Sequence, residues 1–249
     1  MKLLGTIGAW LLASFPVSAS GGPLDGSWSL ESYTLQGKEV PVSGVMIFRG
    51  SFFASVYSMS EPSGKGARGH GGTYRVEGEV VKFSVPWWVE VVSGAPSVRA
   101  ETAEAGARFT IEKDALTLRF DSGSVQKLRR VASADDARLE GGWRMESYRG
   151  RAAVGPAEGL ILFAGGRFAL VYTMKEPGGR LAGRAHGGEY RTENETLTLS
   201  VFWSLQLVSG EGSVAEESSQ RKIRIQPAGD RLTLEFDNGS VQQFRREAQ

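Results

Sequence analysis

The sequence predicts an all-β protein built of two tandem antiparallel β-barrels, each of eight to ten strands. Three observations predict it. First, the chain repeats itself: Trp-Ser-Leu-Glu-Ser-Tyr from Trp28 to Tyr33 returns as Trp-Arg-Met-Glu-Ser-Tyr from Trp143 to Tyr148, a spacing of 115, and His70-Gly71-Gly72 returns as His186-Gly187-Gly188, a spacing of 116. A repeat of that length marks two folded units, since stacking modules of solenoids recur every ~20–50 residues. Second, apolar residues alternate with a period of two, as in strands with one face packed and one in water. Third, tight-turn signals join short strands, and closing such a sheet into a barrel removes its vulnerable edges.

The elements follow in chain order. Each unit opens on Gly-x-Trp, at Gly26-Ser27-Trp28 and Gly141-Gly142-Trp143. In the next strand Phe53, Tyr57 and Met59 share one face, as do Phe168, Leu170, Tyr172 and Met174. A Gly-rich basic stretch from Glu61 to Gly72, with Lys65 and Arg68, reads as a mouth loop, as does Glu176 to Gly188 with Arg180 and Arg184. Val81, Phe83, Val85 and Trp87 then alternate on one face, answered by Leu197, Leu199, Val201 and Trp203. That parity places Trp88 outside, where Ser204 is its counterpart and where it offers a surface for the second unit. Near the end, Leu116, Leu118 and Phe120 match Leu232, Leu234 and Phe236, and Asp121-Ser122-Gly123 and Asp237-Asn238-Gly239 form the last hairpins.

On the final strand Gln126, Leu128 and Arg130 share a parity, as do Gln242, Phe244 and Arg246. An inward Arg beside the opening strand lies over the indole, a cation–π contact of roughly 0.5–2 kcal/mol, so Trp28 with Arg130 and Trp143 with Arg246 are expected to plug one barrel end. At these residues, and at Gly72-Thr73-Tyr74 and the Leu-Thr-Leu strands, the chain resembles the lipocalin and calycin group, most closely its short bacterial lipocalin-like domains. The resemblance covers both units. It implies a barrel of eight strands or slightly more that often binds a small apolar molecule. The units depart from it in being short, without disulfides and without a long C-terminal helix.

The expected boundaries are a signal segment at 1–19, a first barrel at 20–131, a linker at 132–139 and a second barrel at 140–249. Lys2, the apolar stretch Leu3 to Phe15 and Val17-Ser18-Ala19 carry the secretory reading, hence a secreted or periplasmic location. The apolar stretch falls short of the ~20 residues that span a bilayer. Ser133 ahead of Asp135 and Asp136 either caps one helical turn or lies in an exposed linker. With 0 Cys there is no disulfide, no thiolate chemistry and no lipidated cysteine. Formal charge is 29 Lys+Arg against 28 Asp+Glu, so no basic footprint for nucleic acid exists.

The two histidines, His70 and His186, occupy equivalent positions and share parity with Tyr74 and Tyr190. An inward imidazole near the mouth contacts a ligand, holds a haem iron, acts as a base, or satisfies a backbone carbonyl. A zinc site needs three or four converging ligands, which one histidine per unit does not supply. No cofactor is expected, with haem as the alternative. The candidate ligand-binding residues are Tyr57, Met59, Arg68, His70, Tyr74 and Trp87 in the first unit, and Tyr172, Met174, Arg184, His186, Tyr190 and Trp203 in the second. Eight strands leave an interior that side chains fill or that holds one small ligand. No Gly-x-Ser-x-Gly or His-Glu-x-x-His signature is present. The expected function is binding of a small apolar or amphipathic molecule without chemistry. Its alternatives are a cyclase- or isomerase-type enzyme with a site in or between the barrels, and a solid structural module of the cell envelope.

Overall fold

The computed structural model describes residues 22–61, 64–92, 94–131, 138–150, 154–176, 178–208, 210–215 and 218–247. The expected signal segment, Ser133 and all of the expected linker except Arg138 and Leu139 lie outside them, as do Pro62 and Pro177. The described residues form strands and no helix. The first unit comprises β1 (Gly26–Leu35), β2 (Lys38–Val40), β3 (Val42–Arg49), β4 (Phe52–Glu61), β5 (Gly64–Glu77), β6 (Val80–Val92), β7 (Ala95–Arg99), β8 (Ala103–Glu112), β9 (Ala115–Phe120) and β10 (Val125–Arg130). The second repeats them as β11 (Gly141–Arg149), β12 (Val154–Gly155), β13 (Ala157–Ala164), β14 (Arg167–Lys175), β15 (Leu181–Glu193), β16 (Thr196–Val208), β17 (Glu211–Ala215), β18 (Ser219–Ala228), β19 (Arg231–Phe236) and β20 (Val241–Arg246).

Each unit is a closed antiparallel barrel of eight strands. The first runs β1-β3-β4-β5-β6-β8-β9-β10 and closes by pairing β10 with β1; the second closes by pairing β20 with β11. The short β2 and β7, like β12 and β17, pair with β1 and β6, or with β11 and β16, outside that ring. The last hairpins turn on glycine alone: Gly123 and Gly239 have φ of 83° and 78°. Asn238 does not share the left-handed region; its Oδ1 accepts from the Ser240 amide at 2.9 Å.

One end of each barrel is plugged in the same way. Arg130 lies 4.1 Å over the Trp28 ring and donates to the Asp25 carbonyl at 2.6 Å, while the indole donates to the Leu24 carbonyl at 2.8 Å. Arg246 and Trp143 repeat this at 4.1 Å, with bonds to the carbonyls of Glu140, Arg138 and Leu139. Arg138 and Leu139, placed in the linker by sequence, therefore belong to the second plug. Tyr74 and Tyr190 complete the plugs by donating to Asp25 Oδ1 and Glu140 Oε1, each at 2.8 Å.

Both sheets carry a bulge that reverses parity. Gly71 pairs with Trp87 but Thr73 with Ser84, so Gly72 alone faces Val85 and Pro86. Proline has no amide to give the ladder and settles at such a bulge. In the second barrel Gly187 pairs with Trp203 and Gly188 with Val201, leaving Phe202 as the extra residue. Val81, Phe83 and Val85 face the interior as expected, but beyond the bulge Trp88 points inward and Trp87 outward. The expected placement of Trp87 and Trp203 inside, and of Trp88 outside, is corrected accordingly.

Outward apolar residues on one side of each barrel do not meet water. Val45, Ile47, Val56, Trp87 and Val89 of the first barrel pack with Leu160, Leu162, Val171, Ala185, Trp203 and Leu205 of the second in one buried apolar cluster. Sheets covered on both faces read as continuous apolar runs, which accounts for Leu160-Ile161-Leu162-Phe163. The expected mouth loop from Glu61 to Gly72 is mostly strand β5, and its second-unit equivalent mostly β15. Its glycines mark contact with the other barrel. A Cβ at Gly69 would lie 2.1 Å from that of Ala185, its own repeat equivalent; one at Gly71 would meet Val171 at 3.4 Å, and one at Gly187 would meet Val56 at 3.1 Å. Equivalent positions thus face each other across an approximate two-fold axis, the arrangement of an isologous dimer carried on one chain.

Candidate functional site

The plug leaves the opposite end of the first barrel open, where a cavity of about 310 Å3 enters the interior. Strand alternation sets its walls. β4 turns Phe53, Ser55 and Tyr57 inward, β5 turns Arg68 and His70, β6 adds Phe83, Val85 and, after the bulge, Trp88. Tyr33 of β1 and Gln126 of β10 close the wall beside the seam of the barrel.

The charges at the mouth are balanced. Arg68 Nε lies 3.3 Å from Glu90 Oε2, and Arg68 Nη1 donates to the Tyr33 hydroxyl at 3.2 Å. Arg99 lies 3.6 Å from Glu90 Oε1 and 5.4 Å over the Trp88 ring, and Glu104 completes two cations and two carboxylates. Deeper in, the His70 ring lies 3.9 Å from that of Trp88. Burial, with Arg68 and Arg99 nearby, holds His70 at a pKa of about 3, so the imidazole is neutral at neutral pH. Burial likewise pushes the Tyr57 hydroxyl up to about 12. A base with so low a pKa is poorly matched to proton abstraction near neutrality.

Four residues lining this cavity each have a buried polar atom without a hydrogen-bond partner: His70 Nε2, Trp88 Nε1, Gln126 Oε1, and Arg68 Nε, which instead faces Glu90 in the ion pair. Gln126 is only 4% exposed. An unpaired buried polar group costs roughly 1–3 kcal/mol, so a site with one donor, one acceptor and an imidazole nitrogen is poised for a hydrogen-bonding occupant.

The second barrel has the same plan and a different interior. Its cavity is about 60 Å3. Leu170 stands where the first barrel has Ser55, and Arg221 where it has Ala105; both point into the space. Ser204 replaces Trp88 and lies 3.1 Å from His186 Nδ1. Burial, with Arg221 and Arg184, holds His186 at about 3 as well.

The candidate residues therefore divide. Tyr57, Arg68 and His70 meet at the first cavity, and Tyr172, Arg184 and His186 at the second. Met59 and Met174 are buried inside their barrels without reaching either cavity wall. Tyr74 and Tyr190 belong to the plugs and Trp87 and Trp203 to the contact between barrels. Sequence reasoning missed Ser55 and Trp88 as lining residues. Pro86 was the available signal for Trp88, since proline inside a strand pattern marks a bulge. Among the described residues no cluster of three or more His, Asp or Glu is placed to hold a metal. No family model matches the chain, and no curated protein matches it.

The two depressed histidines set a pH dependence. Their folded pKa of about 3 lies below the unfolded value near 6.5, so as pH falls through 6.5 the unfolded chain takes up protons that the folded one does not. Stability is expected to fall between pH 6.5 and 3, by roughly 1–2 kcal/mol per histidine at pH 5. Urea unfolding at pH 7 and pH 5 checks this: the His70→Gln, His186→Gln double variant is expected to lose most of that pH-dependent change.

Proposed function

We propose that the protein is a non-enzymatic carrier or sensor whose first barrel holds one small, uncharged, amphipathic molecule. The observation that carries this reading is the cavity of about 310 Å3 lined by aromatic residues and by His70, Trp88 and Gln126, whose Nε2, Nε1 and Oε1 atoms are buried without a hydrogen-bond partner. Its volume falls at the lower end of small-molecule sites, which are largely apolar with a few convergent polar groups. A neutral ligand suits the balanced mouth charges and the neutral histidine. Phe53, Phe83 and Phe120 supply apolar surface, and the indole N–H and the Gln126 carbonyl orient the polar end.

The closed eight-stranded barrels and the Trp–Arg plugs support placing the chain with lipocalin-like proteins, and the signal-like residues 1–19 support a secreted or periplasmic location. Two observations weigh against the alternatives. The contact between barrels is occupied by packed apolar side chains, where a cyclase-type site needs space. A solid module needs two filled interiors, and the first is hollow.

The test is native mass spectrometry and thermal shift against uncharged compounds of one to three rings, N-phenylnaphthylamine among them, fatty acids and haem. An uncharged ring compound at a hundred times its Kd is expected to stabilise the protein by about 2.7 kcal/mol, with one molecule per chain. Absence of any binder in the panel contradicts the proposal. A Soret band that disappears in His70→Ala contradicts it in favour of haem.

A further inference from the structure

The two barrels differ most sharply in their charges. In the first, Arg68 and Arg99 face Glu90 and Glu104. At a spacing of 116, Glu90 and Glu104 become Gln206 and Gln220, while Arg68 is kept as Arg184 and Ala105 is replaced by Arg221. The backbone register is preserved: Arg68 pairs with Glu90 as Arg184 pairs with Gln206. Two guanidiniums therefore line the second cavity, and among the described residues no carboxylate lines it.

Arg184 shows the consequence. Both Nε atoms are buried without a hydrogen-bond partner, but Arg68 Nε faces the Glu90 carboxylate at 3.3 Å, whereas the residue paired with Arg184 is the uncharged Gln206. Its Cζ lies 5.9 Å over the Tyr148 ring, and hydrogen bonds link it to the Tyr148 and Tyr172 hydroxyls, which bring no charge to offset its own. Tyr172, His186 and Arg221 share the same space. Both arginines are half-buried, and partly buried cations with no facing carboxylate are favourably offset by a compact anion between them. The space of about 60 Å3 is far smaller than the 310 Å3 of the first barrel, which favours a compact occupant.

We propose that the second barrel binds a compact monoanion, a halide or a small carboxylate, between Arg184 and Arg221. The site is separate from the ligand cavity of the first barrel and does not depend on it. Its charge and small size select the ion: two guanidiniums with no carboxylate among the described lining residues favour an anion over the neutral amphipath of the first barrel.

The test uses the full chain and chloride as the probe, read by the excess chlorine NMR line width that the protein produces. Arg221→Ala, which restores the first barrel's own residue, is expected to weaken chloride binding roughly tenfold, the loss expected for one charge-assisted contact. Gln206→Glu, which supplies an internal carboxylate, is expected to abolish it. Arg99→Ala in the first barrel is expected to leave it unchanged. Competition by sodium acetate at constant chloride distinguishes the sources: acetate that displaces chloride at lower concentration assigns the site to carboxylates, and displacement only at higher concentration assigns it to halide. Far-UV circular dichroism and urea unfolding certify that each variant is folded. Excess line width that survives Arg221→Ala undiminished, or its absence from the unmodified protein, overturns the proposal.

Discussion

Gly69→Ala is expected to lower the melting temperature by roughly 5–10 °C, because overpacking costs about 1–3 kcal/mol and each kcal/mol moves a domain of this size by about 2–4 °C. The added Cβ would lie 2.1 Å from the Cβ of Ala185, a separation that requires β5 and β15 to move apart. Their separation propagates into the apolar cluster, since Val171 and Val56 sit beside the same point. Pairing the change with Ala185→Gly exchanges the two residues across the approximate axis and is expected to restore most of the loss. Differential scanning calorimetry of the two single variants and the double variant measures this coupling, which belongs to residues in contact. Additive effects show that the barrels do not meet at β5 and β15.

Ser55→Leu is expected to abolish binding in the first barrel, weakening N-phenylnaphthylamine by roughly 100-fold, equivalent to about 2.7 kcal/mol. The side chain at this position looks into the cavity, and in the second barrel the equivalent Leu170 borders a space of only about 60 Å3. Filling a cavity with an apolar side chain changes packing by at most about 1–3 kcal/mol in either direction, so the fold is expected to persist. Fluorescence titration of the probe reads affinity, and urea unfolding of the same variant reads stability. Unchanged affinity places the probe elsewhere.

The barrel architecture was legible because its determinants are local or repeated. Gly-x-Trp paired with a terminal Arg, the alternation of Leu116, Leu118 and Phe120, and glycine at the last turns each act within a strand or between neighbours, and each occurs twice. The interior was half legible. Parity put Tyr57 on the inner face, and the bulge at Pro86 and Phe202 then inverted Trp87, Trp88 and Trp203, because one extra residue exchanges the faces of everything beyond it. Arg68 and Arg184 were placed in a mouth loop, since glycine is depleted from strands. Gly69, Gly71 and Gly187 instead serve the close approach of a second sheet, a long-range reason that no local pattern carries. Cavity volume was illegible for a related cause: the exchanges of Ser55 for Leu170 and Ala105 for Arg221 are visible in the sequence, but their weight depends on which side chains converge.

The division of labour follows from those few exchanges on a shared scaffold. The first barrel keeps a charge-balanced mouth and empty volume; the second spends its volume on Leu170 and Arg221 and buttresses its neighbour through the apolar contact. Duplication allows this, because one copy can fill while the other remains open.

Indole N–H resonances of the protein titrated with N-phenylnaphthylamine test the hollow first barrel most directly. Trp28, Trp143 and Trp203 donate to Leu24, Leu139 and Ser43, whereas Trp88 lines the cavity and its Nε1 has no partner. The Trp88 signal, assigned by its disappearance in Trp88→Phe, is expected to shift and saturate at one probe per chain while the other indoles hold their positions. A titration that moves Trp87 or Trp203 and leaves Trp88 in place puts the ligand between the barrels and contradicts the proposed site.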